Sequence, residues 1–134
     1  MRNMKWLYSI LFISLLTTAS IAGDLASSFK QAAALAGAQD KERTTRAYSQ
    51  LDLMPYYQQK YSPVFQSCLV STDHPDTSAF SFVAAIAADG RVARLYTDHE
   101  TNVFACVRQM LQKDQFPHPP VSPYYLHVSM SFSK

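Results

Sequence analysis

The most constraining feature of this chain is a strictly alternating stretch from residue 124 to residue 133. One set of positions is apolar or aromatic throughout: Tyr124, Leu126, Val128, Met130 and Phe132. The intervening positions are Tyr125, His127, Ser129, Ser131 and Ser133. A period of two is the period of a β-strand. We therefore expect a strand over 124–132 with one buried face and one solvent-facing side.

Four prolines precede this strand between positions 117 and 123. Proline lacks a backbone N–H and fixes φ, so such a run can neither prolong a helix nor join a sheet. The run predicts a stiff, extended connector that leads from a helix over 101–113 into the strand. A connector without slack also limits slips in the register of that strand.

The segment "FSFVAAIAADGRVARLYTD" predicts a β-hairpin with Asp89-Gly90 at its turn. Phe80, Phe82, Ala84 and Ile86 share one face of the first arm. On the second arm, alternation places Val92, Arg94 and Tyr96 on one side and Ala93 and Leu95 on the other.

Two helices flank this hairpin in the sequence. Apolar residues recur at steps of three and four over 54–70, where Pro63 is expected to kink the helix or begin a new one. The helix over 101–113 has Thr101 or Asn102 as its cap. The order is α-β-β-α-β, which predicts an α+β fold with a three-stranded antiparallel sheet packed on one side by helices. This domain is assigned to 54–134, and the alanine-rich segment 23–53 is expected to be a helical or partly mobile leader.

Residues 1–22 have the pattern of a secretory signal peptide. Arg2 and Lys5 precede an apolar run, and Ser20 and Ala22 are the small residues before a cut ahead of Gly23. The alternative is an uncleaved membrane anchor, but polar residues interrupt the run and it is short for a bilayer span. We expect cleavage, and a mature form that does not span the membrane.

Charge and glycine content narrow the function. Arg2 and Lys5 are two of the twelve basic residues, and residues 1–22 hold none of the ten acidic ones, so the remainder carries ten of each. A neutral chain without a basic stripe argues against nucleic-acid binding. With three glycines, no phosphate-binding loop is expected, and no nucleophile elbow is found, so we predict no cofactor and no catalytic residues.

The chain has two cysteines, Cys68 and Cys106. In an oxidising compartment an even pair predicts one disulfide that closes a long loop. The alternative is two buried free thiols.

The tripeptide Thr-Asp-His occurs at 72–74 and again at 97–99, on loops around the hairpin. The four side chains Asp73, His74, Asp98 and His99 are of types that bind zinc or act as acid and base. This leaves a metal-binding secreted hydrolase as an alternative function. Asp and His are also ordinary loop and capping residues, so we assign no metal ligands.

From Tyr61 to Phe132 the chain resembles the C-terminal domain of TonB and its TolA-like relatives. The resemblance lies in a helix that ends near Cys68, the strand and "DGRV" turn, the helix "NVFACVRQML", and "FPHPP" before a final strand. The chain departs from TonB in two respects. It has no long Pro/Lys spacer, and its N-terminal segment is expected to be removed. The resemblance therefore implies the fold and a protein-binding habit without energy transduction.

In the resembled family a partner segment adds as an extra strand at the sheet edge near the C-terminus. The resemblance implies a non-enzymatic periplasmic domain that binds an envelope protein by strand addition, with a link to TonB-type envelope transport. The predicted binding residues are Arg91, Arg94, Tyr125, His127 and Ser129. Tyr125 is assigned to the solvent-facing side of the final strand. A soluble inhibitor or regulator of a TonB-like system is the alternative, and the oligomeric state is left open.

Overall fold

The computed structural model describes residues 24–133. The predicted signal peptide, residues 1–22, lies outside this range. Within 24–133, no helix is both long enough and apolar enough to cross a membrane.

From residue 54 onward the helices and strands follow the predicted order α-β-β-α-β, after an additional helical region. The elements are α1 (Phe29–Lys41), α2 (Arg43–Tyr48), a π-helical turn (Ser49–Leu53), α3 (Met54–Ser71), β1 (Phe80–Ile86), β2 (Val92–Thr97), α4 (Asn102–Lys113) and β3 (Tyr124–Met130). Thr101 caps α4, since its side chain accepts a hydrogen bond from the Phe104 N–H. The fold is α+β with an open sheet, as the sequence predicted.

The three strands form one antiparallel sheet in the order β2-β1-β3. β1 pairs with β3 over seven consecutive positions without a break, from Phe80 opposite Met130 to Ile86 opposite Tyr124. β1 pairs with β2 less regularly, because the register shifts between Ala85 and Ile86. The sheet therefore has a central strand and two different edges.

The first face of the sheet packs on α3 and α4 and forms the larger core. Phe82, Phe104, Leu111 and Phe116 are among its fully buried side chains. A disulfide joins Cys68 of α3 to Cys106 of α4, with an S–S distance of 2.08 Å, as the even pair of cysteines predicted. This bond fastens the two helices of that layer to each other.

The second face of the sheet is covered in part by α1, which corrects two predictions. Ala32 and Ala36 of α1 pack against Val83 and Ala85 of β1, and all four are buried. Helices therefore lie on both sides of the sheet, and the predicted leader packs against the sheet through α1. The helical character predicted for this segment is present, but its packing residues are small alanines with little hydrophobic contrast.

A single helical path runs from Arg43 to Ser71 and changes its winding midway. In the π-helical turn the Met54 N–H bonds to the Ser49 carbonyl, five residues back. Pro55 follows directly and has no N–H to continue the ordinary pattern, which accounts for a change of winding there. Pro63 lies inside α3 and does not begin a new helix.

The predicted hairpin is present, but its turn and its second arm differ from the sequence expectation. Gly90 has a φ of +87°, whereas Asp89 has no positive φ. The Gly90 N–H donates to the Ala87 carbonyl, and the Ala87 N–H donates to the Arg91 carbonyl. The loop between Ala87 and Arg91 is therefore three residues long. The register shift leaves Ala93 without a partner on β1. Val92 consequently joins Leu95 against the first core, opposite Arg94 and Tyr96.

The proline connector is tied down at both ends by side chains from the N-terminal helices. The Tyr48 hydroxyl donates to the Pro117 carbonyl at 2.7 Å, and the Gln39 amide donates to the Pro123 carbonyl at 2.9 Å. Hydrogen bonds from the N-terminal helices therefore help to fix the path of the connector up to the start of β3.

Candidate binding edge of the sheet

The five predicted binding residues do not meet in one place. Arg91 and Arg94 lie at the hairpin end and on β2, whereas Tyr125, His127 and Ser129 lie on β3. Since β1 separates these strands, the two groups lie about 10 Å apart across the sheet.

Tyr125 is not a surface residue, so its predicted position on the solvent-facing side is wrong. Its exposed fraction is 4%, because α1 and the segment before it cover the sheet at this point. The Tyr125 hydroxyl accepts a hydrogen bond from the Ala26 N–H at 3.0 Å. The Tyr125 side chain therefore holds the residues before α1 against the sheet, and only the backbone of Tyr125 faces the edge.

His127 and Ser129 are exposed, as predicted. The His127 ring meets the Phe29 ring edge-on, with centroids 5.8 Å apart. The Ser129 and Ser81 hydroxyls lie 2.9 Å apart on the part of the second face that α1 leaves open. Both predicted residues thus border uncovered sheet surface.

The backbone of β3 directs a row of polar groups away from the sheet. The Asp98 N–H bonds to the Ser81 carbonyl at 3.2 Å, so odd-numbered residues of β1 face β2 and even-numbered ones face β3. The even-numbered residues of β3 bond to β1 in turn. Hence Tyr125, His127 and Ser129 direct their N–H and C=O groups outward.

One of these outward groups is already occupied. The Tyr125 N–H donates to the Gln39 Oε1 atom at 2.8 Å. Among the residues the structure describes, no hydrogen bond engages the outward backbone groups of His127 or Ser129. Gln39 thereby ends the open part of the edge, and no local sequence signal identified it, because it reaches β3 across 86 positions.

Beside this edge lies a groove between α3 and β3, which we call the α3–β3 groove. Its aromatic and apolar walls are Tyr57, Tyr61 and Phe65 of α3 and Met130 of β3. Its polar rim is Gln58, Ser62 and Gln66. No charged side chain of the described residues lines it. The sequence predicted the apolar face of α3 but not an opening beside it.

Tyr57 is the unusual member of this groove. Its exposed fraction is 7%, and its hydroxyl has no hydrogen-bond partner among residues 24–133. Burial raises the pKa of the Tyr57 hydroxyl well above its ordinary value, so it remains an O–H donor at neutral pH. Its ring stacks on Tyr61, with centroids 5.1 Å apart.

The wall formed by α3 is fixed by a buried carboxylate. Asp114 accepts hydrogen bonds at 2.6 Å from the hydroxyls of Tyr56 and Tyr61 and from the Lys60 ammonium. Burial by itself would raise the pKa of Asp114, but these donors outweigh it and lower the pKa below its ordinary value. Sequence patterns gave no indication of this cluster, since Asp114 follows α4 by one residue and its partners lie more than fifty positions away.

The opposite edge, on β2, is irregular and charged. Ala93 is the unpaired residue of the bulge, and Arg94 follows it. The Arg94 guanidinium donates to the Ala26 carbonyl at 3.3 Å and lies 5.0 Å from the centre of the Tyr96 ring. Arg91 pairs with Asp89 beside the turn, at 3.9 Å. Both arginines serve contacts within the chain.

The two Thr-Asp-His loops lie next to each other, as the hairpin implied. His99 Nε2 is 3.9 Å from Asp76 Oδ2, and the Asn102 side chain bonds to the Asp76 N–H and the His74 carbonyl. His74 and Asp73 project into solvent. Within the described part of the chain, no three His, Cys, Asp or Glu side chains are grouped closely enough to hold a metal ion. The contacts present here join the two loops.

Comparison of the chain with protein-family models, with curated proteins and with solved structures found no match. The geometry of the two sheet edges is therefore the basis of the functional argument.

Proposed function

We propose that the protein is a periplasmic, non-enzymatic, TonB-C-like domain that binds an extended protein segment by strand addition at the outer edge of β3. The observation that carries the proposal is the regular edge of β3, which has no Lys, Arg, Asp or Glu side chain and whose backbone groups at His127 and Ser129 have no partner within the described chain. Unpaired N–H and C=O groups of this kind are a template for another strand.

Three further features support this choice of edge. The seven-position register with β1 is unbroken, so β3 presents its outward groups at even spacing. The α3–β3 groove lies beside it and offers side-chain contacts to the added strand. The disulfide is in keeping with an exported protein.

Proline substitution at Ser129 tests the proposal directly. The Ser129 N–H points away from β1, so Ser129→Pro removes an outward donor without removing a hydrogen bond of the sheet. A library of seven-residue peptides displayed on phage provides ligands, and synthetic copies of the selected peptides are titrated by fluorescence polarisation. We expect Ser129→Pro to weaken their binding by about tenfold or more, as one lost main-chain bond and a steric block require.

Two controls accompany this variant. Ser129→Ala removes the hydroxyl but keeps the N–H, and Ala93→Pro places proline on the β2 edge; both should bind within about twofold of wild type. Near-ultraviolet circular dichroism confirms that each variant is folded. Equal binding by folded Ser129→Pro and wild type would refute strand addition at β3.

A further inference from the structure

The burial of β3 changes along its length on the side that faces α3. Tyr124 and Leu126 are buried, whereas Val128 and Met130 on the same side are only partly buried. The change falls beyond the position at which Gln39 closes the edge. The open stretch of backbone therefore coincides with apolar side chains whose burial is incomplete.

The α3–β3 groove lies on this same side of the sheet. Met130 lines it, together with the rings of Tyr61 and Phe65 on α3. In a strand added to β3, the residues that face Val128 and Met130 point to the side on which those two residues lie. That side is packed by α3, so these residues of the added strand would contact Met130 and the groove.

The lining of the groove determines which side chains it favours. Its walls are aromatic rings and the Met130 thioether, and its rim is formed by the uncharged polar side chains of Gln58, Ser62 and Gln66. A charged side chain placed here would lose water without meeting an opposite charge. A leucine, isoleucine, methionine or phenylalanine side chain would instead remove apolar surface from water and gain dispersion contacts with the walls.

The opposite side of the same stretch sets a different requirement. His127 and Ser129 are exposed there. Residues of an added strand that face His127 and Ser129 would therefore remain in contact with water and with polar side chains. Because successive side chains of a strand point to opposite sides, the two requirements alternate along the added segment.

We propose that the edge selects a partner segment of alternating polarity, with two large apolar side chains two positions apart on the α3 side and a polar residue between them. This inference rests on the strand addition proposed above. It names the feature by which the edge selects among segments, since main-chain hydrogen bonds supply affinity and alternate side chains supply specificity.

The peptides selected from the seven-residue phage library provide the first test. We expect them to share two large apolar residues separated by one polar residue. Replacing both apolar residues by alanine should weaken binding about tenfold or more, whereas replacing the residue between them by serine should change it by less than about twofold. Selected peptides without this alternation would overturn the inference.

A blocking substitution in the groove provides the second test. Ser62 is an exposed residue of the rim, so Ser62→Phe should place a ring in the groove without disturbing the core. We expect this variant to bind the apolar peptide about tenfold more weakly and to bind the double-alanine peptide as wild type does. Ser67→Phe is the matched control on α3, because Ser67 is exposed and borders α4 instead of β3. It should bind both peptides as wild type does.

NMR of the complex measures the contact itself. With the methionine methyl groups labelled with ¹³C, we expect nuclear Overhauser effects from the Met130 methyl group to the two apolar side chains of the peptide. None is expected to the polar side chain between them. Contacts from Met130 to that intervening residue would contradict the proposed facing of the segment.

The outcomes separate this inference from strand addition itself. Equal binding of the apolar peptide to folded Ser62→Phe and to wild type would overturn the inference, and strand addition would stand if Ser129→Pro still blocked binding. Peptides that bind Ser129→Pro normally would refute both proposals. Failure to select any peptide would also overturn the inference, and a dimer that Ser129→Pro dissociates in sedimentation would then assign the edge to a second copy of the chain.

Discussion

The two edges of the sheet are built from strands of similar length, yet they differ in the regularity of their pairing and in their charged side chains. β3 is paired with β1 over seven unbroken positions, whereas β2 contains a bulge at Ala93 followed by Arg94. Bulges and charged side chains are the ordinary means by which proteins block an edge. β2 carries both, whereas the open part of β3, at His127 and Ser129, has no bulge and no Lys, Arg, Asp or Glu side chain.

The comparison shows that the open edge is confined to a short part of β3. Gln39 closes β3 at Tyr125, and α1 covers the sheet beside it, so the accessible length is short. A short template with a neighbouring groove favours one bound segment over indefinite strand stacking. The following variants, from the largest expected effect to the smallest, sharpen or break this contrast.

Replacing both cysteines by serine is expected to have the largest effect on stability. The Cys68–Cys106 bond joins α3 to α4, and α3 forms a wall of the α3–β3 groove. The bonded residues are 38 positions apart. A loop of that length predicts a loss of about 4 kcal/mol in the free energy of unfolding, measured by urea denaturation. Wild type in reducing buffer should match the variant, and a loss below about 1 kcal/mol would show that the bond contributes little.

Gly90→Ala tests the turn that precedes the β2 edge. A Cβ at position 90 would lie 2.0 Å from the Phe116 carbonyl oxygen, and the φ of +87° disfavours any side chain. These two terms predict a loss of about 3 kcal/mol by chemical denaturation. Gly37→Ala is the matched control, because a Cβ there meets nothing within 4 Å and α1 should gain up to about 1 kcal/mol. Similar effects of the two substitutions would contradict the close approach at Gly90.

The contrast between the edges was only partly accessible from the sequence. The hairpin, a helix cap at Thr101 or Asn102 and the final strand were predicted because each depends on neighbouring residues, and Thr101 is the cap. The bulge in β2 was not predicted, because the side chains around Ala93 do not alternate clearly between apolar and polar. A shift of one residue therefore leaves no visible break in the sequence pattern. It moved Val92 to the opposite face from Arg94.

The cover over Tyr125 was missed for a different reason. α1 packs through Ala32 and Ala36, whose burial produces little apolar periodicity. Gln39 and Asp114 act on residues more than fifty positions away, so their roles depend on tertiary packing. For Tyr57, the sequence placed the ring on the apolar face of α3, but whether its hydroxyl finds a partner is decided by the assembled core.

Asp114→Asn tests whether a charged carboxylate stabilises α3, which forms a wall of the α3–β3 groove. We expect a loss of about 2 kcal/mol at neutral pH, since three donors meet this group. The folded-state pKa of Asp114 is lowered, so its contribution is complete above its unfolded pKa of about 4 and disappears as the pH falls through the lower folded value. Thermal melts from pH 7 to pH 2 should therefore converge for the two proteins, and a constant gap throughout would contradict this.

Gln39→Ala should lengthen the open edge at a small cost in stability. Loss of its bond to the Tyr125 N–H predicts at most about 1 kcal/mol of destabilisation and fast hydrogen exchange at that amide. In wild type we expect the Tyr125 amide to be protected and the outward amides of His127 and Ser129 to exchange quickly, as measured by NMR. Gln59→Ala, on the exposed side of α3, should change none of these rates. Protection of all three amides in the free protein would show that the edge is already covered.

Site-specific photo-crosslinking in Gram-negative cells that express the full chain tests the central claim most directly. A photoreactive residue is placed at position 129 on β3 or at position 93 on β2, and captured proteins are identified by mass spectrometry. The account predicts one dominant adduct from position 129, mapped to an extended segment of an envelope protein, and no such adduct from position 93. Equal adducts from both positions, or none from position 129 in a folded and exported protein, would contradict it.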